Sequence, residues 1–371
     1  MIIGVPKEIK PQEDRIALTP FGVEYLVAQG HRVLFERGGG SGCGLEDGDY
    51  QQAGAEIVLS PEDIFNPSDL IVKVKEPQPP ELDLLHDGQV MFTFFHFAAD
   101  RELTQRFQDT GATAIAYETV QLSTGELPLL IPMSEVAGRM AVQVGASFLE
   151  KNNGGKGVLI GGVPGVEPAT VTILGGGIVG HNAAKIAAGM GANVYILDVD
   201  VERLRYLDDI MPENVTTLYS NPVTIRGLLP RTDLLIGAVL VVGAKAPKLV
   251  TSDMLKLMEP GSVIVDVAVD QGGCVETCHP TTHDNPTFVV EGVLHYCVAN
   301  MPGAVPNTST RALTNSTFPF LAQLAELGAE QAMLANPPLL KGLNIYQHQI
   351  THAGVAEAFG LEYVDPHAIL S

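Results

Sequence analysis

The stretch Val171-Thr172-Ile173-Leu174-Gly175-Gly176-Gly177-Ile178-Val179-Gly180-His181-Asn182-Ala183-Ala184-Lys185-Ile186-Ala187 decides how this chain is read. Residues 171–174 are apolar or β-branched and predict a strand that ends on a run of glycines. Gly175, Gly177 and Gly180 satisfy Gly-x-Gly-x-x-Gly. The first glycine of that spacing makes a tight turn, and the second lets backbone approach a pyrophosphate. The third lets helix and strand pack closely, with the helix N-terminus facing the anion. Such a triplet is weak alone, so its context has to carry it. An Ala-rich helix follows and stops near Gly189 and Gly191. A new apolar run, Val194–Leu197, then delivers Asp198, 18 residues after Gly180. An acid there binds ribose hydroxyls and repels the extra phosphate of NADP. The alternative, a purely structural glycine turn, leaves that acid unexplained. A nicotinamide dinucleotide, NAD, is therefore expected. Arg203 could reach its adenosine end, whereas Arg205 reads as a solvated helix face.

Working outward, the same rhythm continues. Strands are predicted at 193–197, 216–219, 233–238, 263–269 and 287–290, with helices between them, as in a doubly wound sheet. Upstream, strands are expected at 2–5, 31–36, 70–74, 90–95 and 112–117. A helix over 20–30 has Thr19 as N-cap and Gly30 as stop. Two long helices, 134–149 and 307–327, suit connectors between sheet domains, with a kink expected at Pro319. Residues 154–165 suggest a hairpin or edge strand. The tail from Lys341 is of mixed helical character and is expected to pack back on the first domain. The fold class is α/β, two Rossmann-like doubly wound domains joined by long helices.

Composition narrows the function. The chain has 371 residues, 46% hydrophobic, enough for more than one core. Its formal net charge of −21 disfavours nucleic acid and anionic membranes. It also repels anionic substrates, so a carboxylate would need a local basic pocket. No apolar run reaches membrane-spanning length, and Met1–Val5 is too short for a signal core. A cytoplasmic protein is expected. Cys43, Cys274, Cys278 and Cys297 read as free thiols. The pairing of Cys274 and Cys278 with His279 and His283 is a weak zinc pattern.

Ligands of open parallel sheets sit outside the carboxyl ends of strands. Arg15 lies in the loop after the first strand, Lys75 follows 70–74, His96 follows 90–95, Glu118 follows 112–117, and Asp270 follows 263–269. Each has a plain structural reading: an ion pair of Lys75 with its neighbours, a turn-forming Asp270 before Gly272-Gly273, a Glu118 that only satisfies backbone donors. Taken as a set, they put cations, an imidazole and a carboxylate where a substrate would meet a nicotinamide. By alternation Ile264, Asp266, Ala268 and Asp270 share one face of their strand, and a buried Asp266 would need donors and be structural.

Several segments together resemble the alanine dehydrogenase family, which also holds the NAD-binding subunit of transhydrogenase. They are Met1–Glu8, Glu13-Asp14-Arg15-Ile16-Ala17-Leu18-Thr19-Pro20, Val72–Pro77, Phe94-Phe95-His96, Ile131–Gly138 and Val298–Pro306. The resemblance spans nearly the whole chain. It implies a catalytic domain from both termini (1–130 and 307–371), an NAD domain at 131–306, and a homohexamer. The reaction implied converts L-alanine, NAD and water reversibly to pyruvate, ammonia and NADH. Arg15 and Lys75 would hold the substrate, joined by Asn300. His96 would protonate the reacting oxygen, and Asp270 would handle the proton of the attacking water or amine. Ser134, Gly175, Gly177, Ile178, Val179, Gly180, Asp198, Arg203, Ser220, Val239, Leu240, Val267, Asp270, Val298, Asn300 and Met301 match cofactor positions.

The sequence departs from the family pattern at two places. His279 stands where some relatives have a cofactor-contacting Arg. Gln323 and Leu327 stand where some have a metal-binding acid and His, so no metal site is expected. Alternative readings are a transhydrogenase-like NAD subunit, a 2-hydroxy-acid dehydrogenase, which the run 251–261 also resembles, and a non-enzymatic NAD sensor.

Overall fold

The computed structural model describes residues 1–239 and 246–370; Leu240 lies outside the described residues, and so does the side chain of Asp270. The chain divides into two compact units, 1–133 with 305–371, and 134–304. Each is a mainly parallel sheet between helices.

The sheet of the first unit holds β1 (Ile2–Val5), β2 (Arg32–Glu36), β3 (Glu56–Val58), β4 (Leu70–Val72), β5 (Val90–Thr93) and β6 (Thr113–Ala116). They lie parallel in the order β3-β2-β1-β4-β5-β6. The order reverses between β1 and β4, which opens a crevice at their carboxyl ends. The strands are apolar on both faces, as a sheet covered by helices requires; Ile3, Ile71, Phe92 and Ile115 are fully buried. Phe65, Phe95, Phe97 and Phe107 pack with Ile71, Met91 and Ala114 on one side.

The second unit holds β7 (Thr170–Leu174), β8 (Asn193–Asp198), β9 (Val215–Tyr219), β10 (Leu234–Gly237), β11 (Val263–Asp266), β12 (Thr287–Val290) and β13 (Val293–Tyr296). Their order is β9-β8-β7-β10-β11-β13-β12, parallel except for β12 at the edge. The switch point falls between β7 and β10. Leu174, Leu197, Leu235 and Ile264 belong to its core.

The expected fold class holds, with three corrections. Residues 154–165 form no hairpin or named strand; an isolated Val163–Val166 bridge stands there instead. The tail is not only helical. It supplies β14 (Leu343–Tyr346) and β15 (Gln349–Ile350), and β14 pairs antiparallel with β6. The long helix expected at 307–327 is Pro306–Leu327, with Pro319 inside it. Its buried face, Thr310, Leu313, Thr317, Leu321 and Leu324, follows helical spacing. Finally, β11 ends at Asp266, and Val267–Gln271 is a 3₁₀ turn. Asp266 causes that stop. Fully buried, it accepts the N–H groups of Ala268 (3.1 Å), Cys274 (2.9 Å) and Val275 (3.2 Å), which turn the backbone out of the strand. Burial raises its pKa against those donors. Ala268 and Asp270 therefore do not continue the strand alternation of Ile264 and Asp266. Asp266 itself is structural, as its need for donors predicted.

Candidate active site

In the first unit three adjacent strands end on candidate groups. Arg15 follows β1, Lys75 follows β4 and His96 follows β5. The Arg15 guanidinium is 2% exposed. Glu13 takes its Nε (2.6 Å) and Nη2 (2.5 Å) through both carboxylate oxygens, and Nη1 lies 3.0 Å from Met133 Sδ. This bidentate grip fixes the plane of the fork. The helix Pro306–Leu327 secures the same loop, since Thr310 Oγ1 accepts the N–H of Ile16 at 3.1 Å.

Lys75 is half-buried. Desolvation lowers its pKa, and the positive charges of Arg15 and Lys10 lower it further, against Glu76 and Glu13. Two cations thus sit close enough to feel each other at the β1/β4 switch point. The expected ion pair of Lys75 with Glu76 is not formed, because Glu76 pairs with Lys10.

Lys73 differs in kind. It is fully buried between Glu8 (3.0 Å) and Glu81 (2.7 Å). Burial alone would lower its pKa, but the two carboxylates outweigh that and hold the ammonium charged. Glu8 also accepts the N–H groups of Val74 (2.6 Å) and Lys75 (3.3 Å), so this buried cluster holds the backbone that carries Lys75.

His96 is exposed and takes a left-handed backbone, φ 56° and ψ 35°. Its ring lies parallel to that of Phe94, with centroids 5.8 Å apart. Glu118 accepts its N–H at 2.5 Å and that of Phe95 at 3.2 Å. Glu118 therefore satisfies backbone donors, the plain reading given to it above.

In the second unit the glycine turn is built as its spacing requires. Gly175 has φ 102°, and a Cβ there would meet the Ala238 carbonyl oxygen at 2.7 Å. A Cβ on Gly180 would collide with the carbonyl oxygen of Gly175. Gly177, by contrast, faces open space. The helix Ile178–Gly189 starts there with its first N–H groups uncapped by any side chain, the condition under which a helix terminus takes an anion.

Asp198 is the last residue of β8. Its Oδ2 accepts the N–H of Gly176 at 2.6 Å, and its Oδ1 that of Asp200 at 2.9 Å. Arg203 donates from Nε to the Gly176 carbonyl at 2.6 Å, and its guanidinium lies over the Tyr206 ring. Acid and Arg are thus tied to the turn itself. Arg205 is exposed and pairs with Glu202 on its own helix.

The other candidates also follow carboxyl ends of parallel strands: Ser220 after β9, Val239 after β10, Val267 after β11, and Val298, Asn300 and Met301 after β13. The Ser220 N–H donates to Asp198 O at 2.9 Å. Asn300 has φ 59°. Ser134 lies in the first turn of the helix Ile131–Phe148. Asp270 lies on the turn after β11; only its backbone is described.

His279 stacks on Phe288 with centroids 3.9 Å apart. Gln323 accepts from Asn336 at 2.7 Å. The four cysteines are buried and unbridged, and among the described residues no three His, Cys, Asp or Glu side chains group as metal ligands. No described helix is long and apolar enough to cross a membrane.

Sequence reasoning named Glu118 at its strand end, with backbone donors as its plain reading, but not which donors it holds; it missed Glu13 and Glu8 as supports. Glu13 could have been found beside Arg15, two residues away. Glu8 could not, because 67 residues separate it from the Lys75 N–H that it holds.

Fold and site together define an α/β protein of two doubly wound sheets, one with a basic crevice and one with a glycine turn at its switch point. Two family models match it: alanine dehydrogenase/PNT, N-terminal domain, over residues 4–137, and alanine dehydrogenase/PNT, C-terminal domain, over 141–353. The chain belongs to the alanine dehydrogenase/PNT family. It is 56% identical to the alanine dehydrogenase of Methanococcus maripaludis over all of both chains. It is 57% identical to that of Bacillus subtilis, covering 98% of this chain and 96% of the relative. A solved L-alanine dehydrogenase superposes with a TM-score of 0.95 at 54% identity, covering 97% of this chain and 99% of the other. A transhydrogenase from Sinorhizobium meliloti shares the fold, with a TM-score of 0.80 at 24% identity over 95% and 99% of the two chains.

Proposed function

We propose that this chain is an NAD-dependent L-alanine dehydrogenase. L-alanine, NAD⁺ and water give pyruvate, ammonium, NADH and a proton, reversibly. What carries the reading is the cation pair at the β1/β4 switch point, in a chain whose full-length relatives are named alanine dehydrogenases. On a protein of net charge −21, two neighbouring cations form a local site for an anionic keto or amino acid.

The glycine turn suits a pyrophosphate: Gly177 has room, and the helix terminus is uncapped. Asp198 favours ribose hydroxyls and hence NAD over NADP. When bound, a nicotinamide supplies the acceptor or donor of hydride. The chain's own groups do the rest. Arg15 attracts the substrate carboxylate, and Lys75 holds the keto oxygen, with Asn300 as a further contact. His96 exchanges a proton with the reacting oxygen, since imidazole works near neutral pH. Asp270 takes the proton of the attacking water or amine, and its charge favours the cationic iminium. Ser134, Ile178, Val179, Arg203, Ser220, Val239, Leu240, Val267, Val298 and Met301 complete the cofactor contacts. A homohexamer in the cytoplasm is part of the same reading, supported by the family resemblance.

The test mixes protein, NADH and pyruvate with and without ammonium and follows NADH absorbance. Ammonium-dependent oxidation is expected. Oxidation without ammonium would point to a hydroxy-acid dehydrogenase. NADH binding without turnover would point to a transhydrogenase-like subunit or a sensor. His96→Ala should abolish turnover and leave NADH affinity nearly intact.

A further inference from the structure

We infer that Glu118 is a positioning residue for this reaction: its carboxylate holds His96 in the backbone conformation that aims the imidazole. The inference rests on the reading of His96 as the proton-exchanging group. Geometry leads to it. β5 and β6 run parallel with Thr93 opposite Ala116. Two residues further on, where β5 has ended, Glu118 comes level with Phe95. The N–H groups of Phe95 and His96 have left the ladder, and the Glu118 carboxylate accepts both, at 3.2 and 2.5 Å.

The second donor belongs to a residue in the left-handed region, φ 56° and ψ 35°. A side chain with a Cβ rarely stays there unless its surroundings hold it. Here three contacts do so: Glu118 on the His96 N–H, the Ala99 N–H on the His96 carbonyl at 2.9 Å, and the parallel Phe94 ring at 5.8 Å. The Glu118 contact alone comes from a distant segment and carries charge. Without it, residues 95–96 can relax toward ordinary dihedrals, which swings the ring away from its aim. The same device recurs one strand over, where Glu8 accepts the N–H groups of Val74 and Lys75.

The experiment compares Glu118→Gln, Glu118→Asp and His96→Ala with wild type. It measures single-turnover rates with pyruvate, ammonium and NADH, KM for pyruvate, NADH affinity and Tm. Glu118→Gln is expected to slow turnover about 10- to 100-fold, the scale of a misplaced catalytic group. KM for pyruvate should change less than about 3-fold, because Arg15 and Lys75 are untouched, and NADH affinity should stay at wild type. Glu118→Asp, which keeps the charge, should recover part of the loss.

A Glu118→Gln rate within about 2-fold of wild type while His96→Ala is inactive, or a loss that falls on KM for pyruvate or NADH affinity instead of the rate, would overturn this inference and spare the role of His96. Failure of both Glu118 variants to fold would also overturn it, by making Glu118 part of the scaffold. Wild-type turnover in His96→Ala would instead overturn the reading on which it rests.

Discussion

The two switch points of this chain prepare for anions by opposite means. At β1/β4 the positive charge is carried by side chains, Arg15 and Lys75. Each depends on buried carboxylates, Glu13 on the guanidinium and Glu8 on the backbone at Lys75. At β7/β10 the positive end is backbone, the uncapped start of the helix Ile178–Gly189, and shape is set by absent side chains at Gly175 and Gly180. A site made of buried charge fails electrostatically when one member is removed. A site made of backbone fails sterically, when an atom is added.

Removing the guanidinium should have the largest effect. Arg15→Ala takes the bidentate guanidinium from buried Glu13 and leaves it the backbone N–H of residue 15 at 3.2 Å. A stability loss of about 3–5 kcal/mol is expected in denaturant unfolding, together with loss of pyruvate turnover. An unchanged midpoint would break the contrast, because it would mean that Glu13 does not need the guanidinium. In the other region Gly180→Ala adds one methyl against the Gly175 carbonyl. It should cost about 1–3 kcal/mol and abolish NADH fluorescence enhancement. Retained binding would show that the turn can shift.

Asp198→Ala sharpens the boundary between the two types, since it removes a charged acceptor from a backbone site. The Gly176 N–H loses its partner, and NAD should lose about 10- to 100-fold in affinity while NADP gains relative to it. Equal losses for both cofactors would confine Asp198 to the turn.

The pH profile tests the side-chain site. Desolvation, Arg15 and Lys10 lower the Lys75 pKa, so its folded value lies below the ordinary 10.5. In the proposed function Lys75 holds the substrate, and deprotonation removes that cation. KM for pyruvate should therefore begin to rise at a pH below 10.5, and Lys75→Met should flatten that limb. The smallest effect is expected for Arg205→Ala. Its exposed pair with Glu202 contributes little, so Tm and NADH affinity should stay at wild type.

These two regions were also unequally legible. The glycine turn is written in six consecutive residues, because close backbone approach needs glycine at set spacings and a strand–turn–helix is local. Asp198 could be found for the same reason: one helix separates it from the turn. Arg15, Lys75 and His96 were legible only as polar residues at strand ends. Glu118 was legible in the same way, but the N–H groups it holds were not, and Glu8 was not legible at all, since a carboxylate that bonds to backbone leaves no spacing rule. The 3₁₀ turn after β11 was hidden by a run of Val and Ala that suits a strand. Only the buried Asp266, with three N–H groups around it, ends the strand there. The tail strands were hidden because β14 is formed by its pairing with β6.

By itself, then, the sequence determined what local chemistry determines. It settled the α/β class from its periodicities, the dinucleotide turn from its glycines, and the need for a local cation site from its charge. The tertiary structure decided which strands became neighbours and so where each switch point fell. It also decided which carboxylates were buried against which donors. Those contacts join residues far apart in the chain, and their strength comes from exclusion of water, which no stretch of sequence achieves alone.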